Sequence, residues 1–169
     1  MDEEKLVFET ELLMNGQDLN EMQIAECVNH LTSEDASPQQ KKSFLAALAK
    51  KGESPSEFSC FVSEFKKRAI NPGLEHFANS AIDLCGTGGD QAGSFNVSTF
   101  VSFMVAAAGI PVIKHGNRSI SSRCGSADLL QAIGIPLDAP PEKIRSGLET
   151  FNFAFLFAPN YHPAFKNIA

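Results

Sequence analysis

The sequence predicts an α/β protein in two parts: a small all-helical N-terminal domain, then the start of a parallel-sheet α/β domain. Three observations carry this. Residues 1–70 show only helical periodicity. Asn71-Pro72-Gly73 then breaks the pattern. Beyond it, short apolar runs alternate with helical stretches, the rhythm of strands joined by crossover helices. The chain has 169 residues, 43% of them hydrophobic, enough for one good domain or two small ones. The expected division is a helical domain over 1–70, a hinge over 71–80 and an α/β domain over 81–169.

Each helical segment has its own signals. A first helix near Glu3–Met14 is stopped by Gly16. A second is expected to start at Asp18, with Glu21 completing a capping box. Ile24, Val28 and Leu31 then share one face. Ser37-Pro38 opens a third helix with proline at its first position. Phe44, Leu45 and Leu48 form its apolar stripe, and Gly52 ends it. Ser54-Pro55-Ser56-Glu57 repeats the start signal. Phe58, Phe61, Val62 and Phe65 follow at helical spacing, which reads first as core and second as a surface for another subunit.

In the second part, a strand over 81–85 precedes a helix at about 96–108. A strand over 110–114 precedes a helix at about 126–133. Pro140-Pro141 opens a helix toward Thr150, Phe153–Phe157 reads as a third strand, and Pro163 looks like a further helix start.

Two strand-to-helix loops hold the chemistry. The first contains Gly86, Gly88 and Gly89. Glycines let the backbone approach a ligand closely, and amides at the following helix N-terminus face anions. No Lys follows the glycines as a Walker loop requires, and Gln91 stands where a dinucleotide fingerprint needs a third Gly. On the glycines alone, an ordinary turn reads as well as a phosphate site. The second loop, over 114–128, brings Lys114, His115, Arg118 and Arg123 together with Asn117, Ser119, Ser121, Ser122 and Ser126. In parallel sheets such loops gather at the carboxyl ends of the strands. The formal net charge is −6, which disfavours general nucleic-acid binding. A local cationic loop on an acidic chain suits a small anion. Cys27, Cys60, Cys85 and Cys124 are dispersed without zinc spacing and are expected to be reduced and mostly buried. No signal peptide or long apolar run is visible, so a cytoplasmic location is expected.

Gly86-Thr87-Gly88-Gly89-Asp90, Asn96-Val97-Ser98-Thr99 and Lys114-His115-Gly116-Asn117-Arg118, in that order and spacing, resemble the anthranilate phosphoribosyltransferases. The similarity covers nearly the whole chain, including the segment from Phe155 to Ala164. It implies a fold of the class III phosphoribosyltransferase and nucleoside phosphorylase type. The implied reaction is transfer of phosphoribose from phosphoribosyl pyrophosphate to anthranilate, in tryptophan biosynthesis. Mg2+ as cofactor, a homodimer formed through the helical domain, and association with an anthranilate synthase subunit are implied as well.

The resemblance assigns the phosphoribosyl pyrophosphate site to Gly86, Gly89, Asp90, Ser94, Asn96, Val97, Ser98, Thr99, Lys114, His115, Gly116, Asn117, Arg118, Ser119, Ile120, Ser121, Ser122 and Ser126. Gly86 and Asn117 fall at anthranilate positions, and Ser98 at a magnesium ligand. Ser94 stands for the usual Thr, and Cys124 where a small residue such as Ser is commoner. These assignments have plainer readings: Asn96, Ser98 and Thr99 as caps, Asn117 as a turn residue, Lys114 as a solvated strand end, Arg118 as a loop brace; Asp128, outside the assigned site, reads as a helix cap. No nucleophile–base constellation and no carboxylate pair is visible, so no catalytic residue is assigned.

The resembled enzymes continue past the position matching Ala169, with a substrate-binding arginine and a magnesium-binding Asp-Glu pair. The chain is therefore expected to be an N-terminal half with little turnover of its own. The alternatives are a pyrimidine nucleoside phosphorylase of the same fold, which Lys114-His115-Gly116-Asn117-Arg118 argues against, and a non-catalytic nucleic-acid-binding or dimerisation relative.

Overall fold

The computed structural model describes residues 6–86, 95–119 and 124–168. The chain separates into two compact units, Met1–Ala69 with His162–Ala169, and Ile70–Tyr161. The final residues, which the sequence reading grouped with the α/β segment, thus fall with the helical unit.

The helical unit contains α1 (Val7–Met14), α2 (Glu21–Thr32), α3 (Pro38–Lys51) and α4 (Pro55–Lys67). Ile24, Cys27, Val28 and Leu31 of α2 meet Phe44, Ala47 and Leu48 of α3 and Phe61 of α4 in one core, which Leu6, Leu13 and Leu19 complete. A short 3-10 helix, Pro163–Asn167, closes this unit and begins at the proline expected to open a helix. Asn167 Nδ2 donates to the Thr32 carbonyl at 2.9 Å, and Phe165 stacks on Phe65 with ring centroids 4.5 Å apart.

The start of α2 differs from the expectation. Asn20, not Asp18, is the cap; its Oδ1 accepts the Gln23 N–H, and Gln23 Oε1 accepts the Asn20 N–H. The Asp18 carboxylate is committed elsewhere, accepting from Lys51 Nζ at 2.7 Å. Lys51 also donates to Glu57 at 2.7 Å, and Glu57 accepts the N–H groups of Leu19 and Ser54 at 2.9 and 2.8 Å. Ser54 Oγ reciprocates by accepting the Glu57 N–H, the capping box expected there. The aromatic stripe of α4 is divided. Phe61 is core, Phe65 packs on it, but Phe58 and Val62 are 63% and 48% exposed.

In the second unit, β1 (Val112–Gly116) and β2 (Phe153–Phe157) pair in parallel, Val112 opposite Phe153 and Gly116 opposite Phe157. Helices α5 (Val97–Ala107), α6 (Ser126–Ala132) and α7 (Pro141–Phe151) surround them, and a short α8 (Ala158–Tyr161) follows β2. The period-2 alternation of strands sorts the side chains. Phe155 packs with Ala127 and Leu130 of α6, joined by Phe153, Phe157 and Phe103. Ala154 and Leu156 pack with Ile144 and Leu148 of α7 and with Leu74. The two faces of β2 are therefore covered by different helices, which suits its continuous apolar run.

The strand expected over 81–85 is reduced to one parallel bridge, Ile82 to Val112. The Ile82 N–H donates to the Pro111 carbonyl at 2.9 Å, and the Ile113 N–H to the Ile82 carbonyl at 3.0 Å. A continuing ladder would next send the His115 N–H to the Leu84 carbonyl. That N–H goes to Asp83 Oδ1 at 3.3 Å instead, and the Leu84 carbonyl accepts from Lys114 Nζ at 2.6 Å. Side chains have replaced the backbone bonds, and the strand stops.

Candidate functional site

Lys114 is the centre of the site. It occupies the same side of β1 as Val112 and Gly116, facing α5, and is 1% exposed. Its ammonium donates to the Leu84 carbonyl and lies 3.4 Å from Ser98 Oγ. One cation thus joins the first loop, the end of β1 and the first turn of α5. Burial pulls the Lys114 pKa below that of an ordinary lysine; the nearby Asp83 and Cys85 act in the opposite direction. Among the described residues no carboxylate forms an ion pair with it. The solvated strand-end reading of Lys114 is therefore wrong. A charge desolvated this far gains from an anionic partner.

The N-terminus of α5 is built by Asn96. Its Oδ1 accepts the Thr99 N–H at 3.4 Å and the Thr99 hydroxyl at 2.8 Å. Thr99 is fully buried, so the structure gives it a capping role. Ser98 is half-buried and Val97 exposed. The Ser98 carbonyl is occupied by the Ser102 hydroxyl at 2.7 Å, while Ser98 Oγ faces Lys114.

The second loop is folded on itself. Asn117 Oδ1 accepts the Arg118 N–H at 2.8 Å, the turn-forming arrangement, and its carbonyl accepts from Ala127 N–H at 3.3 Å and Ser126 Oγ at 3.4 Å. Asp128 accepts the N–H groups of Gly125 and Ser119 at 2.9 and 3.1 Å, which together with Arg118 hold its carboxyl below the usual range. Arg118 is a brace: its guanidinium donates to Asp128 and Gln131 at 2.9 and 2.8 Å and lies 5.9 Å from the Phe157 ring centre.

The glycines separate into two kinds. A Cβ on Gly116 would meet Ser126 Oγ at 2.3 Å and the Phe155 ring at 3.0 Å. One on Gly125 would meet Ser119 N at 2.4 Å and Arg118 C at 2.8 Å, both backbone atoms. These two are required by close packing. Gly86 is exposed, its φ is not in the left-handed region, and a Cβ there would meet nothing within 4 Å. Among the described residues, packing gives no reason for glycine at 86.

Gly89, Asp90, Ser94, Ile120, Ser121 and Ser122 lie outside the described residues. Of the described assignments, Lys114 and Ser98 come together beside the Leu84 carbonyl, and Asn96 caps the same helix as Ser98, whereas Gly116 packs against Ser126 and Phe155. Arg118, Ser119 and Ser126 belong to the α6 side of the second loop. Two of the four cysteines, Cys85 and Cys124, are exposed rather than buried, and both flank the loops. Among the described residues no group of three metal-ligating side chains occurs, and no helix is long and apolar enough to cross a membrane.

Residues 78–169 match the model of a glycosyl transferase family, a/b domain, and residues 10–69 match that family's helical bundle domain. The chain belongs to this glycosyl transferase family. An anthranilate phosphoribosyltransferase from Moorella thermoacetica is 46% identical over 154 residues, which are 91% of this chain and 45% of that protein. A namesake from Caldicellulosiruptor saccharolyticus is 43% identical over 94% of this chain and 47% of its own length. Among solved structures, the anthranilate phosphoribosyltransferase of Thermus thermophilus superposes with a TM-score of 0.79 at 36% identity, covering 100% of this chain and 49% of that one. The Saccharomyces cerevisiae enzyme, solved with phosphoribosyl pyrophosphate and Mg, gives 0.80 at 21% identity and supports the fold alone. The chain spans about half the length of the relatives it matches.

Two residues of the candidate site, Asp83 and Gly125, carry no signal in the sequence. Asp83 was passed over because a single acidic residue in an expected strand carries no periodic signal. Gly125 was passed over because its role depends on a contact with residues 117–119 that only folding reveals.

Proposed function

We propose that the protein to which this sequence belongs transfers phosphoribose from phosphoribosyl pyrophosphate to anthranilate, giving N-(5-phosphoribosyl)anthranilate and pyrophosphate. The observation that carries the reading is the buried Lys114 ammonium, held between the Leu84 carbonyl and the Ser98 hydroxyl where the first loop, β1 and the first turn of α5 meet. A diphosphate entering there supplies the negative charge that the buried cation lacks. The relatives' names point to the same substrates.

The reaction develops positive charge on the ribose and negative charge on the leaving pyrophosphate, so positioning and electrostatics are what the protein must supply. Lys114 neutralises phosphate charge as a fixed point charge. The first turn of α5, capped by Asn96, adds the partial positive charge of a helix N-terminus. Gly86 lets the backbone come close to the substrate. Asn117 and Gly86 are assigned to the anthranilate side, and His115 and Gly116 to the ribose-phosphate side. Arg118, Ser119 and Ser126 shape the second loop and hold it against α6.

Magnesium fits this site in one form. Ser98 Oγ is a hard oxygen donor, but the Lys114 ammonium at 3.4 Å repels a bare cation. A magnesium ion accompanied by substrate phosphates, which supply most of its oxygens and cancel its charge, suits these residues. When bound, the ion neutralises pyrophosphate and improves it as a leaving group. The exposed Phe58 and Val62 of α4 support a homodimer through the helical unit. Association with an anthranilate synthase subunit and a cytoplasmic setting, which the family resemblance implies, complete the proposal.

Calorimetry of the 169-residue chain tests the reading. Phosphoribosyl pyrophosphate with Mg2+ is expected to bind, more tightly than inorganic phosphate or than uridine with phosphate. Preference for uridine and phosphate would favour a nucleoside phosphorylase instead, and no binding of any of them would refute the proposal.

A further inference from the structure

We infer that Asp83 is a positioning residue: by taking the His115 N–H, it leaves the Leu84 carbonyl free to hold the Lys114 ammonium. The inference rests on the reading of Lys114 as a phosphate contact. The geometry is specific. Ile82 begins a regular parallel ladder on Val112, with both expected backbone bonds formed. One step on, the His115 N–H would reach the Leu84 carbonyl in a regular ladder. Asp83 Oδ1 intercepts it at 3.3 Å. The Leu84 carbonyl, released, accepts from Lys114 Nζ at 2.6 Å.

The exchange has two consequences. The loop leaves β1 after Ile82, so the backbone from Asp83 to Gly86 is irregular where a substrate must approach. The Lys114 side chain, buried along its length, gains an acceptor that fixes its charged end 3.4 Å from Ser98 Oγ. Without Asp83, the Leu84 carbonyl returns to the ladder and the ammonium loses its seat. Asp83 needs only an acceptor oxygen for this, because it acts on a neutral backbone N–H. Asparagine therefore suffices, whereas alanine does not.

The test uses the isotopically labelled 169-residue chain and its Asp83→Ala and Asp83→Asn variants. The through-hydrogen-bond coupling between His115 nitrogen and Leu84 carbonyl carbon is expected to be absent from the wild type and Asp83→Asn, and present in Asp83→Ala. Affinity for phosphoribosyl pyrophosphate with Mg2+, measured by calorimetry, is expected to fall about tenfold in Asp83→Ala and to stay within about threefold in Asp83→Asn, the scale of one hydrogen bond. The coupling seen in the wild type, wild-type affinity in Asp83→Ala, or equal losses in the two variants would each overturn the inference. Should the wild type fail to bind, the proposed function falls, while the coupling still decides the role of Asp83.

Discussion

Replacing Lys114 by methionine separates the ligand's need for the ammonium from the fold's. Methionine keeps most of the length and apolar stem but removes the charge. On the stability side two terms oppose. The bond from Nζ to the Leu84 carbonyl, 2.6 Å long, is lost. A hydrogen bond from a charged donor contributes about 1.5–3 kcal/mol. Against this, a cation that is 1% exposed no longer has to be desolvated. That penalty is several kcal/mol per ion even after relaxation. The terms nearly cancel, and the melting temperature is expected to move by no more than about 4 °C in either direction. Binding has no such offset. The lost phosphate contact, again about 1.5–3 kcal/mol, weakens phosphoribosyl pyrophosphate about ten- to a hundredfold. Calorimetry with Mg2+ present and a thermal melt of the same preparation measure both. Affinity within twofold of wild type would refute the placement of Lys114 against phosphate. A fall of more than ten degrees would show that the buried charge belongs to the fold instead.

Three further outcomes test other parts of the structure. Glu57→Gln leaves the Leu19, Ser54 and Lys51 donors short of one acceptor and is expected to cost about 3 kcal/mol by urea denaturation at pH 7. Burial raises the Glu57 carboxyl, but those donors outweigh it and hold the pKa below its ordinary 4.5. The unfolded chain therefore binds the proton first, the contribution is complete above 4.5, and it is lost as pH falls through the folded value. The gap between variant and wild type should narrow in acid; a gap that widens contradicts the pairing. Gly125→Ala places a Cβ 2.4 Å from Ser119 N and is expected to cost about 1–3 kcal/mol, read as a lowered urea midpoint. Gly86→Ala meets nothing within 4 Å, so its unfolding free energy in urea should match wild type to within about 0.5 kcal/mol while phosphoribosyl pyrophosphate affinity drops. Unchanged affinity would remove Gly86 from the site.

What the sequence made legible follows from where the determining interactions lie. The α4 start was readable because Ser54, Pro55 and Glu57 act within one turn, and the structure shows both bonds of the box. The α2 start was misread because Asp18 answers to Lys51, distant in sequence, leaving Asn20 to cap. The stripe on α4 showed which residues share a face, but periodicity does not say how much of the face is covered, and Phe58 remains exposed. The sequence already favours Lys114 over Arg118 as an anion contact, because loop arginines often pair with nearby carboxylates. The fold separates them by burial and by pairing. Lys114 points to α5 and is buried with neutral acceptors, whereas Arg118 is spent on Asp128 and Gln131. The same separation applies to the glycines: Gly116 and Gly125 answer to packing, and Gly86 answers to nothing the described residues contain. The two features that support the proposed ligand site are thus a buried cation with no ion-pair partner among the described residues and a glycine whose added Cβ would meet nothing within 4 Å. Both lie in or against the short stretch where Asp83 ends the first strand.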